Sequence, residues 1–384
     1  MSRARQQSAA MCARHGAPEG TRKDEVIGGS RDGVEKWLRG TKHLTVFEGH
    51  ARFTALHALH IEASDGTTRD IDADRIFINT GTRAAMPKLD GIEHVPYLTN
   101  STILELTDVP EHLVILGGSY IALEFGQMFR RFGSRVTLLG RGKRILSRED
   151  ADVALAMQDV LEREGGAFRF GTQIQRVEPA KWCGGVRIVT DNASIDASHL
   201  LFATGRTPNT DDLGLQHAGI AVKGHGMIEV DGQLRTRING IWALGDVNGR
   251  GAFTHTSWND YEVITANVLD GKSRNVDDRI MTYAVFVDPP FARVGRSEEE
   301  VRRDGRDALI ATMPISRVGR APRRGETDGF MKALVDARTQ RILGAAIYCI
   351  EGDEAIHTFV DIMNAGARYT TLQRASTSTR RSAN

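Results

Sequence analysis

Apolar residues fall along this chain in three patterns, and each predicts a different kind of element. Short unbroken runs at Ile76–Ile78, Leu113–Leu116, Val136–Leu139, Leu200–Ala203 and Ile241–Leu244 predict strands covered on both faces, as in a parallel sheet. Ile121, Phe125, Met128, Phe129 and Phe132 recur at helical spacing, and Gly133 stops the helix they predict. Alternating, turn-bounded stretches predict meanders. "HLTVFEGHARF" and "LHIEAS" are parted from "RDIDADRIFINTG" by a turn at Asp65–Thr68, and "TQIQRVE", "GVRIVTDNASID" and "SHLLFATGRTPN" form a second set. A charged helix is expected over residues 21–40, and "TSWNDYEVITANVLDG" reads as a helix stopped by Gly271. "FMKALVDARTQRILGAAI" reads as a hairpin turning at Asp336–Gln340.

The two strand-rich stretches share a layout. Each runs through a meander into a buried strand and closes on Thr-Gly, at Thr80-Gly81 and at Thr204-Gly205. This is a repeat of architecture and not of letters. The interval from Gly117 to Gly205, counted back from Gly81, ends before residue 1. The expectation is a chain that lacks the beginning of its first nucleotide domain.

With 384 residues there is room for two or three domains. Fifty basic residues against 49 acidic ones give no whole-chain charge argument for a nucleic-acid or anionic-membrane partner. No apolar run approaches the roughly 20 residues that span a bilayer. The opening stretch Met1–Pro18 is rich in Arg and Ala and free of acids, which mimics a transit peptide. It has no apolar core for secretion, and a surface helix or frayed end is the reading preferred for it. Cys12, Cys183 and Cys349 have no close sequence partners. That spacing argues against a disulfide framework, fits a cytoplasmic setting, and makes each cysteine a small buried apolar residue.

Candidate chemistry begins at "HLVILGGSYIALEF". Strand, glycine turn, helix and second strand form the context in which a GxGxxG-like turn binds a dinucleotide pyrophosphate. The turn reads Gly117-Gly118-Ser119-Tyr120-Ile121-Ala122, with serine where the middle glycine is usual and a tolerated alanine at the end. Nucleotide specificity is read at the end of the second strand. There "LLGRGKR" offers Arg141, Lys143 and Arg144 and no acid, which favours the 2′-phosphate of NADPH over the hydroxyls of NADH. The alternative is a solvated basic loop. A second signal is Gly245-Asp246 at the end of the strand Ile241–Leu244, where open α/β sheets place their ligands. A plain helix cap is the alternative for that aspartate. "HALH" (His57–His60) makes a poor metal site, since positions i and i+3 of a strand face opposite ways.

Together "RIFINTGTR", "VILGGSYIALEF", "ATGRTPN", "GIWALGDVNGRGAFTH", "YAVFVDPPFARVG" and "GFMKALVDARTQRILGAAI" resemble the pyridine nucleotide-disulfide oxidoreductase family over about Thr21 to Ala375. Within that family the likeness is to the mercuric-reductase-like, reactive-chlorine-resistance branch. The resemblance implies an α/β fold with two Rossmann-like nucleotide-binding domains, the FAD one incomplete, and a C-terminal α+β dimerisation domain. The expected division is an FAD-domain remnant at 1–109, an NAD(P) domain at 110–206 and a second FAD segment at 207–279. A dimerisation domain at 280–375 and a disordered tail at 376–384 follow.

The resemblance implies that Gly117, Gly118, Ser119, Tyr120, Ile121, Arg141, Arg144 and Gly205 hold NADP. It places Thr80, Gly81, Gly245, Asp246, His255 and Thr256 at FAD, and Glu124 where nicotinamide and isoalloxazine meet. The implied partners are a second copy of the chain and a small-molecule or metal-ion electron acceptor.

Three family parts are not found in the sequence. These are the N-terminal FAD phosphate loop, the CxxxxC redox pair, and the His-Pro-x-x-x-Glu segment, in whose place stands "STSTRRSAN". Their absence predicts weaker FAD binding, an exposed apolar edge at Ile76–Ile78 and no disulfide relay. Two functions therefore compete at this stage: a flavin- and NADPH-dependent oxidoreductase, and a non-catalytic nucleotide-binding or interaction fragment; a metal reductase acting through flavin without the cysteine pair is a weaker third.

Overall fold

The computed structural model describes residues 19–181 and 184–375. The expectations for the opening segment, for Cys12 and Cys183, and for the tail beyond residue 375 lie outside the described residues. The chain divides into two compact units: residues up to Ala85 with Arg206–Arg279, and Met86–Gly205 with the stretch from Ile280 onward.

The first unit opens with the helix Glu19–Gly40, whose Val26, Ile27, Val34 and Trp37 are exposed. An antiparallel meander follows: His50–Phe53, Ala58–Glu62 and Thr68–Asp72. Of the strand-rich stretch His43–Phe53, the first half, with Leu44 and Phe47, lies outside the meander, and both of these side chains are exposed. Ile76–Ile78 pairs in parallel with Ile241–Ala243. Ile76 and Ile78 are buried, whereas Phe77 projects outward and stacks on Trp242. The expected apolar exposure is thus confined to one side of this strand. Thr82–Ala84 pairs antiparallel with Arg206–Pro208, and the helix Thr254–Val268 completes the unit.

In the second unit four parallel strands lie in the order His199–Phe202, His112–Leu116, Arg135–Gly140, Ala167–Phe170. All five residues of His112–Leu116 are buried, which explains their unbroken apolar run. Leu113, Ile115, Val136 and Leu138 share a core with the helices Tyr120–Phe132 and Ala151–Arg163. Val114, Leu116 and Leu139 share another with the antiparallel strands Ile174–Pro179, Val186–Thr190 and Ser194–Ala197. Successive side chains thus serve opposite faces. Both units carry a three-stranded antiparallel meander, then a parallel strand, then Thr-Gly, so the repeated layout read from the sequence is present.

The C-terminal part of the second unit is a five-stranded antiparallel sheet. Its order is Thr282–Val285, Phe291–Gly295, Ile342–Tyr348, Phe330–Asp336, Ala308–Pro314. Asp336 accepts the N–H groups of Arg338 and Thr339, which closes the hairpin where the turn residues predicted it. The helix Gly352–Asn364 contributes Ile356 to the core beneath this sheet.

Candidate functional site

The turn at Gly117 is the centre of the second unit's site. Gly117 has φ +140°, and a Cβ there would run into the carbonyl oxygen of Ala203, so no other residue fits. Gly118 lies under the Phe170 ring, whose Cε1 would sit 2.5 Å from an added Cβ. Ser119 is the extended N-cap of the helix Tyr120–Phe132, and its side chain makes no capping bond. The first turn carries no acid, so the helix start presents amide donors and a positive dipole end to an anion. Ile121 is half-buried just behind it, and Gly205, at φ +132°, ends the second meander's closing strand.

The cationic loop lies against this turn. The Leu146 N–H donates to the Gly118 carbonyl at 2.7 Å, and the Gly171 N–H donates to the Gly142 carbonyl at 2.7 Å. Arg141 and Lys143 are exposed and make no salt bridge among the described residues. Arg144 differs. Its Nη2 donates to the Glu149 carbonyl and to Glu299 Oε1, each at 2.8 Å. The residues present therefore fit a dinucleotide, with a close-approach glycine, an uncapped helix start and two unpaired cations.

Glu124 sits on the same helix. Its Oε1 accepts the Phe286 N–H at 2.9 Å. Burial pushes its carboxyl above the ordinary range, and this one donor pulls back only in part. Gln127 and Arg131, at the i+3 and i+7 positions, grip Asp288 of the same loop. The Gln127 amide bonds both the N–H and the carbonyl of Asp288 (2.7 and 2.8 Å), and Arg131 Nη1 reaches its carboxylate at 2.8 Å. Cys349 is buried, and burial raises its thiol to about 12, so it stays protonated at neutral pH.

In the first unit the predicted residues also converge. Thr80 Oγ1 donates to the Asn209 carbonyl, and the Asn209 amide returns a bond to the Thr80 carbonyl. Gly81 accepts the Asn209 N–H through its own carbonyl. Gly245 has φ +72°, and its N–H donates to the fully buried Asp260, which Arg279 neutralises. Asp246 accepts the Thr82 hydroxyl at 2.7 Å, and Thr82 in turn accepts Arg206 Nε at 2.6 Å. Thr256 Oγ1 is buried with no protein partner, beside Gly251 and next in sequence to His255, whose ring stacks on Phe253. A buried hydroxyl awaiting a partner and an aspartate held at a strand end fit the FAD that the sequence resemblance implied.

Sequence reasoning passed over Thr82, Arg206, Asp260 and Glu299. Arg206 stands inside the quoted "ATGRTPN", so a signal existed for it. Glu299 lies far along the chain from its arginine and carried none.

Such a nucleotide turn, a second ligand site at a parallel strand end and a C-terminal antiparallel sheet define the class of two-nucleotide flavin oxidoreductases. The chain belongs to the pyridine nucleotide-disulphide oxidoreductase family. Residues 4–261 match that family's profile, and residues 281–377 match its dimerisation domain. The family is one of FAD-binding enzymes that use NAD(P)H.

The chain is 37% identical over 354 residues to the probable pyridine nucleotide-disulfide oxidoreductase RclA of Escherichia coli, covering 92% of this chain and 80% of that protein. It is 32% identical over 357 residues to a mercuric reductase of Streptomyces lividans, covering 92% and 74%. The solved HOCl-induced flavoprotein disulfide reductase RclA of E. coli superposes with a TM-score of 0.88 at 35% identity, over 95% of this chain and 83% of that one. LpdA of Mycobacterium tuberculosis, at 21% identity over 99% of this chain and 84% of that one, shares the fold with a TM-score of 0.86. No described helix is long and apolar enough to cross a membrane.

Proposed function

We propose that the chain takes reducing equivalents from NADPH in preference to NADH. It passes them by way of FAD to a small-molecule or metal-ion acceptor, and it acts as a cytoplasmic homodimer. The observation that carries this reading is the pairing of the Gly117 turn with the exposed Arg141 and Lys143 beside it. The turn and helix start hold a pyrophosphate, and the two cations are placed to add charge-assisted bonds to a 2′-phosphate. The chemistry that FAD would supply there is hydride acceptance and the onward release of electrons.

The protein's own task is positioning. Asp246, steadied by Thr82 and Arg206, and the Thr256 hydroxyl are assigned to FAD, together with Thr80, Gly81, Gly245 and His255. Glu124 is assigned to the nicotinamide end, where a carboxyl biased toward its neutral form can hold a proton. The family's dimerisation-domain match supports the homodimer. A metal-ion acceptor draws support from the mercuric reductases and from RclA, which has been solved as a Cu(II) complex.

Calorimetric titration of the purified chain tests the reading. Arg141→Ala should weaken NADPH roughly tenfold to a hundredfold, the worth of one charge-assisted bond, and leave NADH within about twofold. Equal losses for the two coenzymes would remove the 2′-phosphate role. Flavin absorbance bleached by NADPH under anaerobic conditions is the expected companion result.

A further inference from the structure

We infer that Arg144 and Glu299 are positioning residues that fix the cationic loop, leaving Arg141 and Lys143, and not Arg144, to face the coenzyme phosphate. This rests on the NADPH reading above. From sequence alone Arg144 is as good a phosphate ligand as Arg141, and the geometry separates the two. Arg144 Nη2 is shared between the Glu149 carbonyl and the Glu299 carboxylate, at 2.8 Å each, and its Nε is enclosed by protein. A carboxylate at that distance offsets part of the charge Arg144 would offer an incoming dianion, and it fixes the direction in which the guanidinium points. Arg141 and Lys143 have no such neighbour among the described salt bridges.

The backbone that carries Glu299 is itself held in place, while its carboxylate is exposed beyond Arg144. Glu299 stands in the first turn of the helix Glu298–Arg303, which a reciprocal Ser297–Glu300 capping box closes. Its N–H donates to Asp150 Oδ1 at 3.0 Å, and the Glu298 N–H donates to Asp150 Oδ2 at 3.1 Å. Asp150 is in turn bound by two buried cations, Arg293 and Lys332. The C-terminal sheet and its helix therefore supply one wall of a clamp whose other wall is Glu149–Asp150 at the loop's end. From that clamp the backbone runs to Leu146, which is bonded to Gly118 in the phosphate turn. Releasing Arg144 should loosen the loop and, through Leu146, the turn that both coenzymes share.

Titration calorimetry with NADPH and with NADH decides it, on the wild-type chain and on Arg144→Ala, Glu299→Ala, Glu299→Gln, the Arg144→Ala/Glu299→Ala double variant and Arg141→Ala. The two single alanine variants are expected to weaken both coenzymes by the same factor, about threefold to tenfold. The double variant is expected to be no worse than either single one. Glu299→Gln, which keeps an acceptor for Arg144, is expected to recover most of the loss. A loss confined to NADPH in Arg144→Ala, additive losses in the double variant, or tighter NADPH binding by Glu299→Ala would each overturn the clamp. An Arg141→Ala chain that binds both coenzymes like wild type would instead sink the NADPH reading. The clamp would then be judged on the NADH titrations alone. Thermal melts of each variant separate a loosened loop from a failure to fold.

Discussion

Glu124 shows how a carboxyl is biased without a charged partner. Burial raises it from the ordinary 4.5, and a single backbone N–H, from Phe286, opposes the shift. The folded chain then holds a proton that the unfolded chain has already released. Stability should therefore fall as pH rises from about 4.5 toward the raised value and level off beyond it. Glu124→Gln removes the titrating group and keeps an acceptor for Phe286, so its thermal stability should lack that slope as pH rises above the ordinary 4.5. A variant with the wild-type slope would show that another group carries it. Asp150 behaves oppositely. Burial would raise it, yet the Glu299 and Glu298 N–H groups, with Arg293 and Lys332, hold it below the ordinary range. Its contribution is present above about pH 4 and is lost in acid.

At the scale of the element, the helix Tyr120–Phe132 carries both the glycine turn at its start and Glu124. Its start carries no side-chain cap, and Glu124, Gln127 and Arg131 along its flank hold the 286–288 loop. The Phe170 ring covers Gly118 and Gly140 together. Gly118→Ala should therefore destabilise the chain by about 1–3 kcal/mol in urea unfolding, and Phe170→Leu in the same chain should recover part of that loss. No recovery would mean that the crowding lies elsewhere. This helix was readable in the sequence because local rules dominate it: apolar spacing, a glycine start and a glycine stop. Of the strand-rich stretch His43–Phe53 only His50–Phe53 forms a strand, since alternation makes a strand only where a neighbouring strand pairs with it. The ion pair of Arg144 was hidden in the same way. Its residue type was visible, but the carboxylate that occupies it is brought in by the fold.

At the scale of the whole molecule, a buried charge cluster joins the nucleotide-binding part of the second unit to its C-terminal sheet. Arg293 meets Glu149 and Asp150, and Lys332 meets Asp150, Asp152 and Glu298, with both cations almost wholly buried. Removing one member leaves its partners uncompensated in a poorly solvated site. Arg293→Met, which strips the buried Glu149 of its cation, should accordingly lose about 3–5 kcal/mol, read as a lower urea midpoint. An unchanged midpoint would show that water reaches the cluster. None of this was visible along the chain, because the partners lie far apart in sequence and look like ordinary surface charges.

The chain's path between the units has a further consequence. It leaves the first unit just after Thr80-Gly81 and returns just after Thr204-Gly205, and the departing and returning segments pair as neighbours, Thr82–Ala84 against Arg206–Pro208. One copy of the layout is thus nested inside the other at a seam whose two lips already touch. A change in the length of the nested copy therefore leaves the gap to be bridged unaltered, one hydrogen-bond ladder wide, because both strands of that ladder belong to the first unit.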